Sequence, residues 1–144
     1  MAEETQEPKK YFSVAEAEAL IPELTRIMEG VMDAHSEAQG IQAGFQEEQQ
    51  RIMMAGGALF SADLWRERTG RLQALTKQVQ DGLASIARLG GVPKDLGTGL
   101  LDFPFLLEGE EVNLCWRFGE KKIRFWHGLD EGFAGRKPIP EALR

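Results

Sequence analysis

The sequence predicts an α+β fold: a long antiparallel helical hairpin, a small three-stranded antiparallel sheet, and an irregular C-terminal tail. Three observations carry that expectation. Apolar residues recur in steps of three and four from Val14 to Ala38, and at helical spacing again from Trp65 to Leu89. Gly56-Gly57 separates the two runs, a break short enough for the helices to fold back on each other. After Asp95 the apolar period drops to two, the period of strands.

Residues 1–10 are polar, contain Pro8 and show no apolar period, so they read as a frayed terminus. Ser13 with Glu16 matches a capping box, preceded by Phe12, and predicts a helix start. The first helical segment, 13–54, carries a narrow seam of Val14, Ala17, Ile21, Leu24, Met28, Val31, His35 and Ala38. Pro22 lacks an N–H and its ring opposes the carbonyl of Glu18, so the helix should bend there or split into a short and a long piece. Ser61 is the next N-cap, and the second helix, 61–89, places Leu72, Leu75, Val79, Leu83, Ile86 and Leu89 on one face. It should stop at Gly90-Gly91, with Pro93 behind. Two helices cannot enclose a core, so either the C-terminal third or a second copy must cover them. A homodimer is the expectation.

The β-meander, 100–128, comprises Leu101–Leu107, Val112–Phe118 and Ile123–His127. Pro104 has no ladder donor and points to an edge or bulged strand. Residues 129–144, with Gly132, Gly135, Pro138 and Pro140, form the tail. If a two- or four-residue turn joins the last two strands, Val112, Leu114, Trp116 and Phe118 share the core face with Ile123, Phe125 and His127. Asn113, Cys115 and Arg117 then face the other way with Arg124 and Trp126. This parity puts Cys115 and His127 on opposite sides of the sheet and leaves no Cys–His nucleophile pair, so no catalytic residue is assigned.

Length and charge bound the function. At 144 residues and 16.1 kDa, with 42% apolar residues, the chain reads as a single folded domain, 1–144. Its 17 basic and 23 acidic residues give a net charge of -6 and a pI near 5.0, which argues against nucleic acid as a partner. The charge is uneven. Residues 1–50 hold eleven acids and three bases and residues 51–100 hold four and seven, so the two helices attract each other. One cysteine excludes an internal disulfide, and no signal peptide or membrane-length apolar run is evident, so a cytoplasmic protein away from membranes is expected.

Two constellations could carry chemistry. His127, followed by Asp130 and Glu131, could offer nitrogen and oxygen ligands to a divalent metal. Arg117, Arg124 and Trp126 on one face, with Arg136 in the tail, could bind a carboxylate, a phosphate or an acidic peptide, or meet the protein's own acids. His35 has Met32 three residues before it, so the Glu-x-x-His pattern of di-metal bundles is absent. Gly97-Thr98-Gly99 precedes a strand and has Asp102 at the third glycine position, which makes it a loop and not a dinucleotide turn. No Walker loop, zincin helix, paired Cys-x-x-Cys or nucleophile elbow occurs.

Several strings resemble the bacterial domain-of-unknown-function family 2203. They are Phe12-Ser13 with Glu16-Ala17, Leu20 with Pro22-Glu23-Leu24, Lys94-Asp95-Leu96, Gly99-Leu100-Leu101-Asp102-Phe103-Pro104, Cys115-Trp116-Arg117 with Gly119-Glu120, and Trp126-His127 with Asp130 and Gly132-Phe133-Ala134-Gly135-Arg136. Gly128 stands where the family often carries an acid, so no adjacent His–acid dyad is implied. The resemblance implies no activity, cofactor or catalytic residue. The leading expectation is therefore a non-enzymatic homodimeric interaction or scaffold module that binds another protein. The alternative is a small metal- or anion-binding protein or enzyme with its site near His127 and Asp130 or Arg117 and Arg136.

Overall fold

The computed structural model describes residues 9–57 and 61–144. Most of the segment expected to fray, residues 1–8, and residues 58–60 of the interhelical turn lie outside it. Order already extends to Lys9, whose Nζ meets Glu111 at 2.6 Å.

Helix α1, Val14–Ala19, opens on the expected capping box, with the Ser13 hydroxyl accepting from the Glu16 N–H and Glu16 accepting from the Ser13 N–H. The chain does split, but at Leu20. Helix α2, Ile21–Met54, starts just before Pro22, so the proline occupies its first turn, where a missing N–H leaves no bond unmade. Helix α3, Ala62–Leu89, is capped by Ser61 and ends at Gly90, which adopts φ 98°; the Gly91 N–H then reaches back to the Ile86 carbonyl. Glycine is required at 90 twice over, because a Cβ there would also lie 2.2 Å from the Phe12 ring.

The sheet has five antiparallel strands where three were expected, in the order β1-β2-β3-β4-β5. They are β1 Val92–Asp95, β2 Leu100–Leu107, β3 Glu110–Arg117, β4 Phe125–His127 and β5 Lys137–Pro138. The additional strands, β1 and β5, are short and contain Pro93 and Pro138, which hid them from any reading based on strand propensity. Pro104 lies in an interior strand, contrary to expectation. Strand β1 pairs β2 only as far as Asp102, and the Pro104 carbonyl instead accepts from the Phe12 N–H at 2.8 Å. In an antiparallel strand the N and O of one residue point the same way, so the missing donor faces the side that β1 has already left.

Phe12, Val14, Ala17, Ile21, Leu24, Met28, Val31 and Ile86 pack from the helices onto Leu101, Phe103, Phe105, Val112, Leu114, Trp116 and Ile123 of the sheet side. The C-terminal third thus covers the proximal half of the hairpin. Distally, no α2 residue beyond Ala34 is buried. There the helices are joined by the Phe45–Trp65 ring pair (centroids 4.6 Å apart), by Glu37 with Arg71, and by Glu48 with Arg68. The opposite charges of the two helical segments meet inside one chain, as their signs suggested. Among the described residues, no helix is long and apolar enough to cross a membrane.

Candidate metal centre

The sheet face turned away from the helices is not open to solvent. Alternation in β2 sends Leu101, Phe103 and Phe105 to the core and Asp102 to the other side, where it is 1% exposed. Asp102 lies directly opposite Cys115 on β3. The register between β3 and β4 pairs Asn113 with His127, Leu114 with Trp126 and Cys115 with Phe125. Odd residues oppose odd ones, so Cys115 and His127 lie on one face of the sheet, which corrects the expected parity.

The reason lies in the connection. Residues 116–124, an odd number, separate the innermost pair, whereas a two- or four-residue turn gives the other parity. Trp116 Nε1 donates to the Glu120 carbonyl at 2.8 Å and the Glu120 carboxylate accepts from the Arg117 N–H at 2.7 Å. The Ile123 N–H donates to Glu18 of α1, and the Ile123 side chain is fully buried. These side-chain bonds hold a longer connection than tight-turn rules allow for.

The imidazole of His127 arches over β3 to Asp102, with Nε2 2.9 Å from Oδ1, and both side chains are under 5% exposed. Its Nδ1 lies 2.9 Å from the Gly128 carbonyl. A carbonyl only accepts, so Nδ1 carries a proton and Nε2 is the nitrogen left to bind a proton or a cation. Cys115 sits beside this pair: one donor atom from each of Asp102, Cys115 and His127 lies within 4.8 Å of the other two, and all three residues are buried. Burial pushes the Cys115 thiol up to about 11, so at neutral pH it is an S–H and not a thiolate. Both ring nitrogens of His127 are engaged elsewhere, so no base addresses the sulfur. The Cys–His nucleophile reading is thus unsupported for a new reason, engagement in place of separation.

A cation changes the balance. With metal bonds of about 2.0–2.1 Å and tetrahedral angles, nitrogen and oxygen ligands stand about 3.3 Å apart, only a few tenths beyond the 2.9 Å that separates Nε2 from Oδ1. A protonated Nδ1 fixed on a backbone carbonyl is the outer contact that ligating histidines make. A cavity of about 120 Å³ adjoins the three, lined also by Lys94, Leu100, Asn113 and Phe133.

Of the expected metal ligands, only His127 joins this cluster. Asp130 is exposed and outside the cavity. Glu131 lines the cavity, but its Oε1 accepts from the Gly128 N–H at 3.1 Å and meets Lys137, and these contacts, that of Lys137 foremost, hold its carboxyl below the usual range. A Cβ on Gly128 would stand 2.9 Å from that same oxygen, so a side chain at 128 would make Glu131 shift.

The four expected anion ligands do not form one surface. Arg117 shares the Cys115 face, and its guanidinium lies 5.7 Å from the Phe133 ring. Trp126 is on the core face beside Leu114, with Lys137 over its ring. Arg124 is exposed in the β3–β4 connection. Arg136 stacks 4.2 Å from the Phe125 ring and donates to the Cys115 carbonyl and to Glu120. Its internal partner is thus a loop acid, not the acidic first helix. Asp102 was missed altogether as a site residue, although an acid at a strand position facing Cys115 across the turn was a readable signal.

One family's sequence profile, described as an uncharacterised conserved protein (DUF2203), matches residues 10–139. The chain belongs to the DUF2203 family. That match spans every strand of the sheet and includes Asp102, Cys115 and His127. No curated protein and no solved structure gives a significant match.

Proposed function

We propose that this DUF2203 protein binds one divalent metal ion of the zinc class through Asp102, Cys115 and His127 Nε2, with a fourth position facing the cavity. The observation that carries the reading is that sulfur, nitrogen and oxygen donors, all buried, lie within 4.8 Å of one another beside a cavity that the C-terminal tail helps to line. Sulfur and imidazole select zinc-like ions over magnesium or calcium, which take oxygen cages. Three protein ligands plus an open position is the plan of reactive zinc sites, whereas structural sites are closed by four. Bound metal would displace the Cys115 proton to solvent, which turns the high thiol pKa from an obstacle into a pH-dependent step of loading. The scaffold expectation rests on the long amphipathic hairpin and the lack of a recognisable catalytic set; the cluster of three buried donors supports the metal-binding alternative in preference to it.

The test is competition for Zn2+ between the metal-free protein and a chromophoric chelator. One equivalent should bind, and Cys115→Ser and Asp102→Asn should each weaken binding by roughly 100-fold or more while circular dichroism stays native. No binding, or equal binding by Cys115→Ser, would overturn the proposal.

A further inference from the structure

We infer, resting on the metal reading above, that the ligand taken up at this centre is a small organic anion with an apolar body, held between the ion and Arg117. The cavity at the metal position has a volume of about 120 Å³. At about 30 Å³ per water that is room for some four waters, enough for an ion and one carboxylate or phosphate group but not for a whole ligand. Beside it lies a second groove of about 400 Å³ lined by Asp95, Thr98, Leu100, Arg117 and Phe133; Leu100 and Phe133 line both spaces. The shared wall is apolar and aromatic, which suits a hydrocarbon body.

The charges around the two spaces select an anion. A divalent ion with a thiolate, a carboxylate and a neutral imidazole is formally neutral, so its surroundings decide the sign of the ligand. Lys94 lines the cavity and Arg117 lines the groove, and among the described residues neither has an ion-pair partner. The Arg117 guanidinium lies 5.7 Å from the centroid of the Phe133 ring, within cation–π reach, and its N–H groups remain available to an oxyanion. Asp95 also borders the groove, but its carboxylate is engaged by the Thr98 hydroxyl and by the Gly97 and Thr98 N–H groups. The Thr98 hydroxyl foremost holds its carboxyl below the usual range. Glu131 is neutralised by Lys137. The positive charge left unpaired next to the ion is therefore that of Lys94 and Arg117.

Benzoate and phenyl phosphate serve as probes, because they share the apolar body and differ only in the anion. Calorimetric titration of the zinc-loaded full chain should give saturable binding of at least one, and the better binder names the anion class. Arg117→Gln and Lys94→Gln should each weaken that binding about tenfold with zinc stoichiometry unchanged, while Lys122→Gln, remote from both spaces, should not alter it. Zinc-loaded protein that binds neither probe, or binds them equally well as Arg117→Gln and Lys94→Gln, overturns the inference and leaves the metal reading standing. Protein that takes no zinc overturns both.

Discussion

Replacing His127 by alanine should cost the metal-free protein about 3–5 kcal/mol of folding stability, because it leaves the Asp102 carboxyl buried without its partner. At 1% exposure Asp102 is nearly shut off from bulk solvent, and among the described residues His127 is its one side-chain hydrogen-bond partner. The cost therefore arises from what remains and not from the ring removed. That distinction is measurable. Adding Asp102→Asn to His127→Ala replaces a stranded charge by a stranded amide, and urea unfolding should recover roughly 2 kcal/mol, since an unsatisfied neutral group costs about 1–3 kcal/mol. A loss below about 1 kcal/mol for His127→Ala would mean that water from the adjoining cavity takes the place of the ring and that the pair contributes little to folding.

Trp116→Ala should be equally severe, at about 3–5 kcal/mol, for a different reason. Trp116 is the largest fully buried side chain, and its removal empties the layer between β3 and the helices. It also frees the Glu120 carbonyl, which receives the indole N–H. Trp116→Phe keeps most of the packing and loses that bond, so it should cost less, about 1–3 kcal/mol. Because the bond fixes the connection that sets the β3–β4 register, Trp116→Phe should also loosen Zn2+ binding. Thermal unfolding of both variants checks the order of effects, and equal losses would show that the indole N–H matters and the volume does not.

The helices were legible because their signals are local. Ser13 with Glu16, Ser61, and Gly90-Gly91 each fix a helix end through bonds made within five residues, and each is where the periodicity put it. The change of period after Asp95 located the sheet for the same reason. The candidate site depended on parity, and parity depended on a connection held by Trp116, Glu120 and a contact from Glu18, 105 residues earlier in the chain. No turn signature encodes bonds of that range. One misplaced residue in the count sent His127 to the core face and separated it from Cys115; Asp130 and Glu131 were its expected partners by nearness in sequence alone, and Asp102 was read only as the residue that breaks a glycine pattern. Arg117 and Arg136 were legible as cations but not in their roles, since Arg136 is spent on Glu120 and on the Cys115 carbonyl.

The central claim is that Asp102, Cys115 and His127 jointly hold one ion, and substitution of cobalt for zinc tests it most directly. Co2+ titrated into the metal-free protein should raise a near-ultraviolet thiolate-to-cobalt absorption together with the strong visible bands of a four-coordinate ion, saturating at one equivalent. The near-ultraviolet feature should vanish in Cys115→Ser. Cobalt that stays spectrally identical to the hexaaqua ion, or an absorption that survives Cys115→Ser, would contradict the account.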